Sequence, residues 1–269
     1  MLVKMIVVDL DNTLLRRDKT VSDYTKSVFA RLRERGILLA FATSRSASAS
    51  ARFRAYITPD VNITSGGAIA TMDGKTLFRA AIDIETATAI IRDLKASRDV
   101  LRITADTEEF YFNSDPIDTS WDGRVDYMDM ITTDFSEPLP VPDVFKITPN
   151  ALNAGAVQSI TAQYPAVDVL KFAGEDWYQI KSRDAAKQLA IAEVCAQLGI
   201  GMSEVIAFGD DHNDVEMLRE CGVGVAVSNA IDECKAAADF VCGDCDEDGV
   251  VRWLEVNSLH KLTSGKFIA

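Results

Sequence analysis

The sequence predicts an α/β protein: a Rossmann-like parallel sheet core with an inserted α+β domain. Short apolar runs that end in polar residues alternate with helical segments from the start of the chain, and this alternation is typical of a parallel sheet. From about residue 83 to residue 183 the pattern changes to paired strands with fewer helices, and the first pattern then resumes. We therefore predict a core domain at 1–82 and 184–269 and an inserted α+β domain at 83–183.

The first core segment opens with a short apolar run at 5–10, as expected for a strand that is buried on both faces. Ser22 precedes a helical pattern and Gly36 follows it. A serine side chain caps the first amides of a helix, and glycine adopts the left-handed conformation that ends one. The strands of this segment are predicted at 5–10, 37–42 and 61–64, and the helices at 22–35 and 46–56.

The rest of the chain divides in the same way into elements of the two domains. In the inserted domain, strands are predicted at 101–103, 110–112, 144–147, 167–172 and 177–180, and helices at 85–96 and 151–164. In the second core segment, strands are predicted at 205–208, 223–227 and 238–242, and helices at 185–198, 215–220 and 231–237.

Charge and hydropathy argue against two classes of partner. The 269 residues carry a formal net charge of −13, whereas nucleic-acid binding depends on Lys and Arg that neutralise phosphates. No apolar run approaches the ~20 residues that a membrane-spanning helix needs. The apolar start runs directly into Asp9 and Asp11, which favours a buried strand over a signal peptide. We predict a cytoplasmic protein whose partner is a small molecule, and leave its oligomeric state open.

Polar side chains follow three of the predicted core strands. Asp9 and Asp11 follow the first, Thr43 and Ser44 the second, and Asp210 and Asp214 a strand of the second core segment. Ligands of an open α/β sheet bind outside the carboxyl ends of its strands, so we expect the three clusters to converge on one site.

Carboxylates at such a site predict a divalent cation. Asp9 and Asp11 lie two residues apart and repel each other unless a cation lies between them. Hard oxygen ligands without His or Cys favour Mg²⁺, which is commonly shared with a phosphate. One carboxylate can attack phosphorus, and a second can protonate the leaving oxygen and then activate water. Thr43 and Ser44 supply hydroxyl and backbone donors for phosphate oxygens.

These residues carry a resemblance to a known family. Asp9-Leu10-Asp11-Asn12-Thr13 resembles the first motif of the haloacid dehalogenase superfamily, and Ala42-Thr43-Ser44-Arg45 the second. The run from Gly209 to Leu218 is similar to the fourth motif in its Cof-like form, and Lys187 stands where the third-motif lysine is expected. The resemblance covers the core, and the inserted domain matches the type IIB cap in position and size.

The resemblance implies a Mg²⁺-dependent phosphatase for small phosphate monoesters such as sugar phosphates or phosphorylated cofactors. Asp9 would be the nucleophile and a metal ligand. Asp11 would be the general acid/base, with its backbone carbonyl on the metal. Asp210 would bind Mg²⁺, and Asp214 would support the metal through a bound water or through contacts with the residues that hold the metal. The phosphate would be held by Leu10 N–H, Thr43, Ser44, Lys187 and Asn213. Asn12 replaces a frequent Gly, and Asn tolerates unusual backbone angles.

Two functions on the same scaffold remain as alternatives. A sugar phosphomutase or other phosphotransferase would pass the phosphoryl group from Asp9 to a hydroxyl instead of water. A non-catalytic protein would bind a phosphorylated ligand without turnover. Trp121, Tyr127 and Trp177 of the inserted domain are candidates for contact with the leaving group, although core packing is the simpler interpretation for each.

Two short patterns suggest other ions. The loop from Asp244 to Glu255 satisfies the EF-hand pattern, but the residues before it read as a strand and no second hand is present. We interpret it as an acidic turn before the last helix. Cys242 and Cys245 have the spacing of half a zinc site without a second half, so all five cysteines are predicted to be buried thiols. His212 and His260 are too few for a His-based metal site.

Overall fold

A computed structural model of the chain describes residues 2–108, 110–115, 130–172 and 176–259. The described residues form two compact units. The first unit comprises residues 2–44, 50–78 and 186–259, and the second comprises 45–49 and 79–185 with the gaps stated. That the core at 1–82 and 184–269 is catalytic, and that the inserted domain at 83–183 sets substrate specificity, stays a prediction.

The elements are numbered in chain order. The strands are β1 (Met5–Val8), β2 (Leu38–Ala42), β3 (Val61–Thr64), β4 (Ile69–Met72), β5 (Lys75–Arg79), β6 (Ile82–Asp83), β7 (Val100–Asp106), β8 (Tyr111–Asn113), β9 (Met130–Thr132), β10 (Asp143–Val144), β11 (Lys146–Ala151), β12 (Val167–Lys171), β13 (Tyr178–Ser182), β14 (Val205–Gly209), β15 (Val223–Ala226) and β16 (Phe240–Val241). The α-helices are α1 (Asp23–Arg33), α2 (Ala47–Arg54), α3 (Ile84–Ala96), α4 (Ala154–Thr161), α5 (Lys187–Leu198), α6 (Val215–Glu220), α7 (Asp232–Ala237) and α8 (Gly249–Leu254).

The first unit is built on an eight-stranded sheet with the order β16-β15-β14-β1-β2-β3-β4-β5. The six strands from β16 to β3 are parallel, and β4 runs antiparallel beside β3. Val7 of β1 pairs with Ala207 on one side and Ala40 on the other. All four residues of β1 are buried, as the predicted parallel sheet requires. The α/β core is therefore confirmed.

The second unit contains a six-stranded sheet with the order β12-β13-β11-β7-β8-β9. Ile147, Ala105 and Phe112 lie side by side in register on neighbouring strands. Their side chains belong to a buried apolar cluster that also contains residues of α3 and Val157 of α4. A separate two-stranded sheet pairs β6 with β10. Strands that pair mostly antiparallel, with β8 and β9 parallel, and helices α3 and α4 agree with the predicted α+β composition.

Some element bounds differ from the predictions for identifiable reasons. The first helix begins after Ser22, whose side chain accepts a hydrogen bond from Thr25 N, as predicted. The helix predicted at 151–164 was wrong at its start, because β11 continues through Pro149 to Ala151 and pairs with β7. Helix α4 begins only after Asn153, whose side chain accepts from Gly155 N. Strands β4, β5, β6 and β9 were missed.

Within the described residues, no helix is long and apolar enough to cross a membrane. Trp121, Tyr127 and His260 lie outside the described residues. Trp177, the third aromatic residue singled out, is half-buried and forms an isolated bridge with Asn150 in the second unit.

Candidate active site

Three neighbouring parallel strands bring the predicted clusters to one edge of the first unit's sheet. β1 lies between β14 and β2, and Asp9, Asp210 and Thr43 each follow the carboxyl end of one of these strands. The ladder extends one residue beyond β1, since Asp9 N donates to Phe208 O at 3.0 Å. Residues that are far apart in the sequence thereby lie together at the edge where α/β sheets bind ligands.

Carboxylate oxygens of Asp9, Asp210 and Asp214 lie within 4.8 Å of one another. All three residues are buried. Burial, followed by the charges of Asp214, Asp210 and Asp11, holds the pKa of Asp9 well above its ordinary value, although Lys187 opposes this effect. Burial and the charge of Asp214 raise the pKa of Asp210 to about 7. Ionisation of these carboxyl groups is therefore unfavourable without a neighbouring cation, and a bound cation would favour it.

Lys187 is the ammonium at the centre of this cluster. Its Nζ donates to Asp9 Oδ1 and to Asp214 Oδ1, each at 2.6 Å, and its side chain is only 2% exposed. Burial alone would lower the pKa of Lys187, but Asp214 and Asp9 outweigh it and hold that pKa above its ordinary value. The lysine is charged, and three carboxylates still outnumber it.

Asp214 is fixed on both oxygens. Oδ1 accepts from Lys187, and Oδ2 accepts from the backbone amides of Asp210 at 2.9 Å and Asp211 at 3.2 Å. A Cβ atom at Gly209 would lie 2.4 Å from Asp214 Cβ. Only glycine fits there without displacing the Asp214 side chain.

The Asp11 carboxylate points to a different partner from the cluster of three. Lys19 Nζ lies 2.8 Å from Asp11 Oδ1, and both side chains are partly exposed. Asn12 has a φ of 58°, a left-handed backbone conformation that Asn tolerates. Asn229 Nδ2 donates to Asn12 O at 2.7 Å and holds this bend.

The predicted phosphate-binding residues lie at the same sheet edge. Thr43 is buried, and Asn213 Nδ2 donates to Ser44 Oγ at 3.1 Å. Leu10 is also buried, and its carbonyl accepts from Leu15 N at 2.7 Å. The first and fourth motifs therefore meet the second, as expected from the convergence of the three strands.

Comparisons with known proteins agree with this arrangement. Residues 6–254 match the family model described as haloacid dehalogenase-like hydrolase. The chain belongs to the haloacid dehalogenase-like hydrolases. The resemblance inferred from the motifs is confirmed by a match that also spans the inserted segment.

Among similar proteins of this hydrolase family is the Bacillus subtilis 5-amino-6-(5-phospho-D-ribitylamino)uracil phosphatase YitU. It is 28% identical over 93% of this chain and 96% of its own length. The HMP-PP phosphatase of Cronobacter sakazakii is 27% identical over 91% of this chain and 92% of its own. A solved structure from Thermotoga maritima has a TM-score of 0.82 at 23% identity, covering 96% of this chain and 98% of its own. A subclass IIB sugar phosphatase has a TM-score of 0.79 at 22% identity, covering 94% and 98%. These two structures are similar in fold.

Three residues of this hydrolase were not predicted from the sequence. Thr13 Oγ1 donates to Asp210 Oδ1 at 2.6 Å. A Cβ atom at Gly67, which has a φ of 92°, would lie 2.3–2.5 Å from backbone atoms of Ala186 and Lys187. Gly209 makes room for Asp214, as described above. The available signal was position alone, since Thr13 closes the first motif and the two glycines follow predicted strands.

The acidic turn of this hydrolase is tied to the chain by basic side chains. Arg17 pairs with Asp244 and Asp246, and Arg16 pairs with Asp248 at 2.9 Å. Helix α8 begins at Gly249, in the middle of the EF-hand pattern. The prediction of an acidic turn before the last helix is confirmed.

All five cysteines are buried and free, as predicted. Burial raises the pKa of the Cys195 thiol to about 11 and of the Cys242 thiol to about 12. Thiols with such pKa values remain protonated at neutral pH and are poor nucleophiles.

Proposed function

We propose that this hydrolase is a Mg²⁺-dependent phosphatase that hydrolyses small phosphate monoesters through an aspartyl-phosphate on Asp9. The buried Asp9 carboxylate, hydrogen-bonded to Lys187 and lying beside Asp210 and Asp214, carries the proposal. The names of YitU and of the HMP-PP phosphatase, both acting on small phosphorylated compounds, support this substrate class. Sugar phosphates and phosphorylated cofactors are the substrates we propose to test first.

The residues present fit a divalent cation with oxygen ligands. Asp9 Oδ1 and Asp210 Oδ1 accept hydrogen bonds from Lys187 and Thr13. Within the described residues the second oxygen of each carboxylate accepts none, which leaves two oxygens for a metal. Asp9, Asp210 and the backbone carbonyl of Asp11 would hold Mg²⁺. Asp214, with both oxygens engaged, fits a supporting role behind it. Mg²⁺ would screen the approach of a carboxylate to a phosphate and polarise the phosphoryl oxygens.

The chain's own residues divide the reaction into two displacements. A carboxylate oxygen of Asp9 attacks phosphorus and the ester P–O bond breaks, while the Asp11 carboxyl gives its proton to the leaving oxygen. Asp11 then takes a proton from water, whose oxygen bonds to phosphorus and releases the Asp9 carboxylate and inorganic phosphate. Lys187 opposes the effect of burial on the Asp9 pKa and so favours the ionised form of Asp9.

Donors at the sheet edge hold the transferring group. Leu10 N–H, the hydroxyls of Thr43 and Ser44, the ammonium of Lys187 and the Asn213 amide would bind the phosphoryl oxygens. Preorganised donors of this kind stabilise charge that develops in the transition state. The hydrogen bond between Asn213 and Ser44 fixes two of these side chains relative to each other. We assign the preference for particular leaving groups to the inserted domain. The cytoplasmic location of the protein stays a prediction.

Release of inorganic phosphate from a panel of phosphate esters, with and without Mg²⁺, tests this function. Wild type with Mg²⁺ is expected to hydrolyse several esters, and chelation of the metal should abolish release. D9N should release phosphate about a thousandfold or more slowly than wild type, as expected when a nucleophile is removed. D23N is the matched control, since Asp23 lies on the exposed start of α1. Turnover by D9N at the wild-type rate would refute the proposal. Phosphate release that required a sugar bisphosphate would favour a phosphomutase.

A further inference from the structure

Asp11 forms an ion pair with Lys19, which is not among the residues proposed to hold the metal or the phosphate. Lys19 Nζ lies 2.8 Å from Asp11 Oδ1, with side-chain exposures of 22% and 29%. The Asp11 carboxylate is not part of the cluster formed by Asp9, Asp210 and Asp214. The carboxylate that follows Asp9 by two residues is thus held apart from the carboxylates beside it.

Lys19 lies in a tight turn that fixes its backbone. Lys19 N donates to Arg16 O at 2.8 Å, and Arg16 N donates to Thr20 O at 3.1 Å. The Asp18 carboxylate accepts from both Thr20 N and Thr20 Oγ1, at 3.0 Å and 2.6 Å. Within this turn Lys19 has a φ of 64°. A left-handed backbone is unfavourable for a residue with a side chain, so the turn holds Lys19 in a conformation that lysine rarely adopts.

A cation at this position has a chemical consequence for Asp11. A divalent ion at the neighbouring carboxylates attracts any further carboxylate within reach. A carboxylate bound to metal cannot carry a proton to the leaving oxygen. The Lys19 ammonium competes for the Asp11 carboxylate and forms a charge-assisted hydrogen bond to it.

We propose that Lys19 is a positioning residue that keeps the Asp11 carboxylate off the metal and available for proton transfer. The inference rests on the proposed function, because it assigns Lys19 to the acid/base of that reaction. Lys19 acts on the reaction through Asp11, the residue that its ammonium contacts. In kcat/KM its effect is confined to the step in which the leaving oxygen takes a proton from Asp11 as the ester bond breaks.

The leaving group of the substrate separates this role from a structural one. Phenyl phosphate and p-nitrophenyl phosphate share a ring but differ in the basicity of the leaving oxygen, so only the first needs a proton during bond cleavage. We expect K19M to lower kcat/KM for phenyl phosphate by about 10-fold or more. This is smaller than the full contribution of a general acid, because Asp11 is still present in K19M. For p-nitrophenyl phosphate we expect less than about threefold.

Three variants control this comparison. K19R retains the charge and should restore most of the phenyl phosphate activity, whereas D11N should show the same selective loss as K19M. K4M removes a lysine that is 41% exposed from an ion pair with Glu204 elsewhere in the first unit, and should leave the ratio of the two substrates unchanged. Equal losses on both substrates in K19M, or an equally impaired K19R, would overturn the proposal.

Calorimetric titration with Mg²⁺ supplies a readout that does not depend on turnover. If Lys19 competes with the metal for Asp11, K19M should bind Mg²⁺ several-fold more tightly than wild type, and K19M/D11N should not. Unchanged affinity in K19M, or tighter binding that persists in the double variant, would also overturn the proposal. An inactive wild type or an active D9N would instead refute the proposed function, so the two failures are distinguishable.

Discussion

Lys187 Nζ lies 2.6 Å from an oxygen of Asp9 and 2.6 Å from an oxygen of Asp214. One ammonium thus links the end of β1 to the loop after β14, and both carboxylates are buried. The lysine is itself at the start of α5, which begins where Gly67 allows close backbone approach. Stability and chemistry at this edge therefore depend on the same side chain.

Replacing Lys187 by Met should strongly destabilise the metal-free protein. The change leaves three buried carboxylates without their ammonium, and breaking a buried pair from one side costs about 3–5 kcal/mol. Urea unfolding of K187M against wild type measures the loss. K4M breaks a partly exposed pair and should cost about 1 kcal/mol or less. A loss in K187M as small as in K4M would contradict the account, whereas added Mg²⁺ should restore part of the stability.

Replacing Thr13 by Val should weaken metal binding. Thr13 Oγ1 donates a hydrogen bond to Asp210 Oδ1. This bond lowers the pKa of Asp210, whereas burial and the charge of Asp214 raise it. Loss of a hydrogen bond that orients a metal ligand costs about 10–100-fold in metal affinity. Calorimetric titration of T13V with Mg²⁺ is the measurement, and T13S, which keeps the hydroxyl, is the control. Equal affinity in T13V and T13S would show that the hydroxyl is not needed.

Replacing Gly67 by Ala should reduce activity as well as stability. The new Cβ would meet the backbone at Ala186 and Lys187 at 2.3–2.5 Å and displace the start of α5. Gly36 also has a positive φ, of 77°, but nothing lies within 4 Å of a Cβ there. G36A should therefore cost only the backbone strain, about 1 kcal/mol, and keep kcat/KM. A G67A enzyme with wild-type kcat/KM would contradict the role given to Gly67.

Replacing Asp83 by Ala should destabilise the second unit in a pH-dependent way. Asp83 Oδ1 accepts from Thr86 N at 2.9 Å and caps α3, and losing such a cap costs about 1 kcal/mol. The Thr86 amide holds the pKa of Asp83 below its ordinary value. A carboxylate with a lowered folded pKa stabilises the fold above its unfolded pKa, and this contribution is lost as the pH falls through the folded pKa.

Urea unfolding at neutral and acidic pH checks this prediction. D83N keeps a capping side chain that does not titrate, so its stability relative to D83A should change little between the two conditions. Wild type should exceed D83A at neutral pH and lose most of the charge-dependent part of that advantage in acid. An advantage that grows in acid would contradict the sign of the shift.

The sequence predicted the parallel core because its strands are fully buried and therefore continuously apolar, as in β1. It predicted Asp9, Thr43, Lys187 and Asp210 because each follows a strand or starts a helix within a recognisable motif. It could not predict the contacts of Thr13, Gly67 and Gly209, since these depend on distances between segments far apart in the chain. The start of α4 was misplaced because Pro149, a poor central-strand residue, is tolerated beside a register shift between β11 and β7.

Acid quenching of the enzyme during turnover, followed by mass spectrometry of its peptides, tests the central claim most directly. The account predicts a phosphoryl group on Asp9, formed only with Mg²⁺ and absent in D9N. K19M should accumulate it more slowly from phenyl phosphate than from p-nitrophenyl phosphate. Steady phosphate release by wild type with no phosphorylated Asp9, or with the phosphoryl group on another residue, would contradict the account.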